Sequence, residues 1–206
     1  MGHESFVSQG HPDPLRAHGA WIYLFASVGS GALVGVEQRV EPAMLVGTGF
    51  VGAFLVAAAI AVGARRKMRQ ILVGSSLAIL APLGALYLDA KPEFFIVAAL
   101  AVVPAVTAIG LQKTIGFLSR PALVVGVAAI VVAAPTVALA GGISVGRSLL
   151  LFALLWPFFS WQTLRVAAPL RIGATWEREK LRSRGLREAG VAAVWTLAVA
   201  VLLHIT

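Results

Sequence analysis

The run Arg16-Ala17-His18-Gly19-Ala20-Trp21 sets a cation, an imidazole and an indole where a polar segment gives way to an apolar one. A helix starting there would turn its free backbone amides and the positive end of its dipole toward the same place. That arrangement suits an anion: a phosphate, or the headgroup of a lipid or quinone. A second polar stretch follows Pro157 and holds Ser160, Trp161, Gln162, Thr163 and Arg165, with Arg171 beyond it. His18, Gln162, Arg165 and Arg171 are therefore the candidate ligand residues. The structural alternative is an anchor, with Trp21 and Tyr23 in an interfacial aromatic belt and His18 as a cap.

Other chemistries have fewer supports. The chain has no Cys, which excludes disulfides, thiolate metal sites, iron–sulfur clusters and c-type haem attachment. His3 and His11 lie in the polar opening segment. His18 begins the first apolar run and His204 ends the last, so most of a hydrocarbon core of about 30 Å separates them. Neither a bis-histidine haem nor a three-histidine metal site is expected, and no cofactor is. Glu37, Glu41, Asp89 and Glu93 sit at the edges of apolar runs, and no Asp, Glu, Lys or Arg falls inside one. A proton-coupled transporter usually carries a carboxylate or histidine near the midplane. Sodium sites built from carbonyls and hydroxyls stay open. No catalytic residue stands out, and the reading leans away from an enzyme.

The elements that position these residues follow from hydropathy. Of 206 residues, 59% are hydrophobic and 13% charged, about half the charged share of a soluble domain. Uncharged runs cover 17–36, 42–64, 70–88, 94–112, 121–146, 148–164 and 189–206. Each approaches the roughly 20 residues a helix needs to cross hydrocarbon. Helices are required because lipid offers no partner to a free backbone amide, and the runs lack the alternation of barrel strands. The fold class is thus all-α, a polytopic transmembrane bundle of about seven spans. It forms a single domain over 1–206, with a polar segment at 1–18 and a basic loop at 165–188. The polar opening does not read as a secretory signal, which would place positive charge first and an apolar stretch soon after.

Seven spans put 14 of the 17 Lys and Arg residues on one face, leaving Arg39, Lys91 and Arg147 on the other. Basic loops stay cytoplasmic, so the N-terminus is expected inside and the C-terminus outside, in a cell's inner (plasma) membrane. The formal charge of +8 then speaks of orientation and anionic lipid rather than nucleic acid. Within 165–188, Glu177 with Lys180 and Glu179 with Arg182 have helical spacing, and Trp176 and Leu181 would reach the interface.

Gly29, Gly31 and Gly35, then Gly47, Gly49 and Gly52, give the first two spans small faces for close helix packing. Pro82, Pro104, Pro135 and Pro157 punctuate spans three to six. Pro157 is the best candidate for a functional break because polar residues follow it.

The opening motif, with Phe159 to Leu170 (FSWQTLRVAAPL) and the basic loop after it, resembles the YwiC-like family of small bacterial membrane proteins. The resemblance covers both ends of the chain. It implies a polytopic membrane protein without an assigned activity, with His18 and Gly19 on the family's signature pair and Arg165 loosely on its late arginine. The outline is also similar to UbiA-type prenyltransferases, but those need Asp-rich motifs, and Asp13 and Asp89 stand alone. The leading expectation is a structural or accessory subunit of a larger membrane complex, respiratory or energy-transducing, with other membrane subunits and anionic lipids as partners. A small transporter, or a binder of lipid or quinone headgroups, is the alternative.

Overall fold

The computed structural model describes residues 18–35, 39–62, 67–171 and 178–205; of 18, 19, 61, 62, 169–171 and 178–184 it describes the backbone alone. The described residues form nine helices and no strand: α1 (His18–Gly35), α2 (Val40–Val62), α3 (Met68–Tyr87), α4 (Glu93–Leu100), α5 (Val102–Thr114), α6 (Arg120–Val131), α7 (Ala133–Ala140), α8 (Val145–Arg171) and α9 (Arg178–Ile205). They make seven rods, because α4 with α5 and α6 with α7 are single rods interrupted at Ala101 and Val132.

Each interruption lies three residues before a proline, Pro104 or Pro135. Proline lacks the amide that would bond the carbonyl four residues back, and its ring pushes that carbonyl aside. The rods resume at once: Ala105 N–H donates to the Ala101 carbonyl and Thr136 N–H to Val132, at 3.2 Å in both cases. Pro157 behaves otherwise. The break anticipated there is absent, and α8 runs unbroken from Val145 to Arg171.

Among the described residues, six helices are long and apolar enough to cross a membrane: Val40–Ile60, Met68–Tyr87, Glu93–Thr114, Arg120–Ala140, Val145–Ala168 and Gly185–Ile205. The shorter apolar Ala20–Gly35 completes the seven rods. Large apolar side chains such as Leu80, Ile96 and Val194 are exposed around the flanks. Water would penalise such a surface, whereas lipid does not. The chain is a multi-pass integral membrane protein.

The α6–α7 rod forms the axis of the bundle. Two thirds of Arg120–Ala140 (67%) is buried, against 17% of α3 and 11% of Glu93–Thr114. Its second half is mostly Ala, Thr, Val and Pro, small enough for neighbours to close in, with Leu139 as its one larger residue, and residues 131–140 are all buried. On α1, Gly31 abuts the Ala134 carbonyl, and Gly35 lies so close to Gly141 that a Cβ on it would meet the Gly141 Cα at 3.3 Å. The glycine face of α1 therefore packs inside the bundle, as its spacing predicts. Gly52 of α2 and Gly74 of α3 face each other, and a Cβ on Gly74 would lie 2.7 Å from the Gly52 carbonyl.

Contacts between rod ends show the alternation expected of short connections. At one end, Arg39 donates to the carbonyls of Leu88 (3.1 Å) and Asp89 (3.3 Å), closing the start of α2 on the end of α3. At the other, early α1 and early α9 meet late α8. Two boundaries differ from expectation. The stretch 165–188 is mostly helix: α8 extends to Arg171 and α9 begins at Arg178, leaving only 172–177 outside the described residues. Backbone geometry does not require a helix to stop at the hydrocarbon edge; charged side chains simply extend into the headgroup layer. Trp176 falls outside the described residues and Leu181 is described in its backbone only.

Candidate functional site

On α8, Ser148, Leu151, Leu155, Phe159 and Gln162 are buried, each three or four residues after the last. They form the inward stripe of the helix. On α9 the inward stripe is Glu188, Ala192, Thr196, Val199 and Leu203. Where these stripes approach each other near the arginine-rich end, both present a polar residue. Gln162 is wholly buried. Its Nε2 donates to the backbone carbonyl of Glu188 at 2.7 Å and to the Glu188 Oε2 at 3.1 Å. Glu188 is itself buried, and its Oε1 lies 3.8 Å from the Arg187 guanidinium, which is largely exposed.

Helix α1 supplies the third wall. Tyr23 is buried and stacks on Phe159, with ring centroids 4.8 Å apart and an interplanar angle of 20°. Its hydroxyl faces Thr163 and lies within electrostatic reach of Glu188. Tyr23 is therefore part of the inner wall and not of an outward aromatic belt. The reason is its register: Tyr23 shares the inward face of α1 with Ser27, Ser30 and Val34. Trp21 is partly exposed and packs on Phe25 (5.6 Å) and Phe54 (4.8 Å).

The site holds more hydrogen-bonding capacity than it uses. Gln162 Oε1 is buried and makes no hydrogen bond among the described residues, while the Thr163 hydroxyl pairs with that of Tyr23. A buried polar atom left so costs about 1–3 kcal/mol. A buried carboxylate costs several kcal/mol unless it is paired. Here Gln162 and Arg187 offset the charge on Glu188, while the oxygen of Gln162 stays open. That oxygen can accept from a polar group entering beside Tyr23.

Of the residues singled out by sequence, Gln162 lies at the centre of this site. Arg165 is exposed, with its guanidinium 5.3 Å above the Trp161 ring. The backbone of His18 opens α1 and that of Arg171 closes α8, but their side chains lie outside the described residues. The convergence of His18, Arg165 and Arg171 on one headgroup thus includes two side chains outside the description. Glu188 and Tyr23 were missed. The signal for Glu188 was present: the stripe of α9, carried back one turn from Ala192, lands on it. Among the described residues no three of His, Cys, Asp and Glu group closely enough to hold a metal ion.

Comparison with known proteins returned no match: no family model, curated protein or solved structure is similar to this chain. The resemblance carried by the Arg16–Trp21 opening, the Phe159–Leu170 stretch and the basic loop rests on those residues alone.

Proposed function

We propose that this membrane protein binds the polar end of a membrane amphiphile, a lipid or quinone headgroup, where α1, α8 and α9 meet. Gln162 carries the reading. It is a wholly buried amide that spends its N–H donors on Glu188 and keeps a free acceptor, Oε1. Buried polar groups are rarely left in this state without a partner of some kind. The site lies at the end of the bundle richest in Arg and Lys, which favours an amphiphile with an anionic or hydrogen-bonding head. Positive-inside orientation would make that end cytoplasmic and the membrane the plasma membrane. The test is lipidomic. Protein extracted in mild detergent should carry a defined amphiphile, and Gln162→Leu should lower its occupancy at least fivefold without changing the elution volume. Equal occupancy in both proteins would overturn the reading.

A second reading is favoured by one observation: the Glu93–Thr114 rod buries only 11% of its apolar span within the bundle. A rod presenting so much surface suits a neighbouring transmembrane subunit, as an accessory role in a larger complex requires. Co-purification with a partner from native membrane supports it, and recovery solely as a free monomer contradicts it.

A further inference from the structure

Between α8 and α9 a groove of about 440 Å³ opens onto the lipid-facing flank. Phe158, Gly190, Val191, Val194 and Trp195 line it, and among the described residues Arg187 is its one charged lining residue. We infer that this groove holds one acyl chain of an anionic phospholipid, with the lipid phosphate against Arg187. The inference deepens the amphiphile-binding reading and rests on it.

Three observations favour that occupant. The first is length. The lining of α9 runs from Arg187 to Ala198, eleven residue steps, or about 16 Å of helix. That matches the depth of one leaflet, half of a hydrocarbon core of about 30 Å. A single acyl chain fills such a groove, whereas a long prenyl tail would overrun it. The second is charge. Arg187 sits near the start of the span Gly185–Ile205, at headgroup depth, just after Arg178, Lys180, Arg182 and Arg184. A guanidinium carries five N–H donors, and its pairing with Glu188 at 3.8 Å is long and one-sided. Its side chain is 68% exposed, so a phosphate can reach it. The third is a fixed wall. Phe158 and Trp195 stack at 4.8 Å, and the Trp195 indole donates to the Leu154 carbonyl at 3.4 Å, holding the ring in place. On the same stripe of α9, Gly190 leaves room in the groove, since a Cβ there would meet nothing within 4 Å.

Native mass spectrometry of the full-length protein, titrated with phosphatidylglycerol and phosphatidylcholine of identical chains, tests this. The wild type should retain phosphatidylglycerol roughly fivefold more than phosphatidylcholine, the preference expected from one basic contact. Arg187→Gln should abolish the preference and Arg187→Lys should keep most of it. Gly190→Phe should reduce retention of both lipids; Val194→Trp, at a position 71% exposed, serves the same purpose if the first variant does not fold. Phosphatidylglycerol retained alike by wild type, Arg187→Gln and the groove-filling variants would mean annular lipid only and overturn the inference. A quinone or zwitterionic lipid displaced by Gln162→Leu but indifferent to Arg187 would overturn the anionic assignment and leave the broader reading standing. Wild type that retains no amphiphile at all overturns both.

Discussion

Gln162 Nε2 bridges the backbone carbonyl and the side-chain carboxylate of Glu188, at 2.7 and 3.1 Å. One amide thereby fixes the approach of α8 to α9 and supports a carboxylate that would otherwise be costly to bury. Removing either partner should destabilise the bundle by about 2–4 kcal/mol, because the other is left unpaired in a dry setting. Removing both should cost less than the sum. Thermal unfolding in detergent of Gln162→Leu, Glu188→Leu and the double variant forms the cycle. The expected coupling is about 1–3 kcal/mol, and additive losses would show that the pair is not an energetic unit.

The α2–α3 pair depends on the absence of side chains at Gly52 and Gly74. With the Gly52 carbonyl 2.7 Å from where a Cβ on Gly74 would lie, Gly74→Leu must push the two backbones apart. The cost should reach about 1–3 kcal/mol or more. Gly110→Leu, where a Cβ meets nothing within 4 Å, should leave the melting temperature nearly unchanged. Comparable losses in both variants would contradict the packing described.

Asp89 ends α3 in a left-handed conformation, with φ of 57°. The Ala90 amide then reaches back to the Ala85 carbonyl at 3.0 Å, closing the helix end. Glycine adopts this backbone at less cost, and the Arg39–Asp89 pair at 3.7 Å is exposed and therefore weak. Asp89→Gly should be neutral or stabilise by up to about 1 kcal/mol. A clear loss of stability would assign the carboxylate a larger role than a helix end needs.

Orientation is open to direct labelling, since the chain contains no Cys to remove. Single cysteines at Lys113 and Gly185 should react with an impermeant maleimide only from the cytoplasmic side. Cysteine at Lys91 should react only from the other. Reaction of Lys113→Cys and Gly185→Cys from opposite sides would break the alternation on which the shared end depends.

The seven rods were legible because lipid imposes a length and forbids charge: a run without ionisable residues between two basic clusters admits few other structures. The same rule blurred the last two helices. It ended span six at Arg165 and began span seven after Glu188, yet both helices continue beyond those charges, to Arg171 and from Arg178. The rule therefore assigns Glu188 to a loop, although its spacing from Ala192 and Thr196 puts it on the buried stripe. Tyr23 was read by residue type, as a tyrosine near an interface, when its register with Ser27 and Ser30 turns it inward. Pro157 shows the opposite limit. A proline does not by itself say whether a helix will break, because neighbouring groups can absorb the lost bond. Gln162 was found by its polarity within an apolar run, a sound guide where burying an amide is expensive.

The central claim is that an amphiphile's head occupies the meeting point of α1, α8 and α9. A density map of the particle extracted with its native lipids tests it most directly. A head should lie within hydrogen-bond distance of Gln162, Thr163 or Arg187, with a tail leading along Val191 and Val194. A map with neither head nor tail density against Gln162, α8 and α9 would contradict the account.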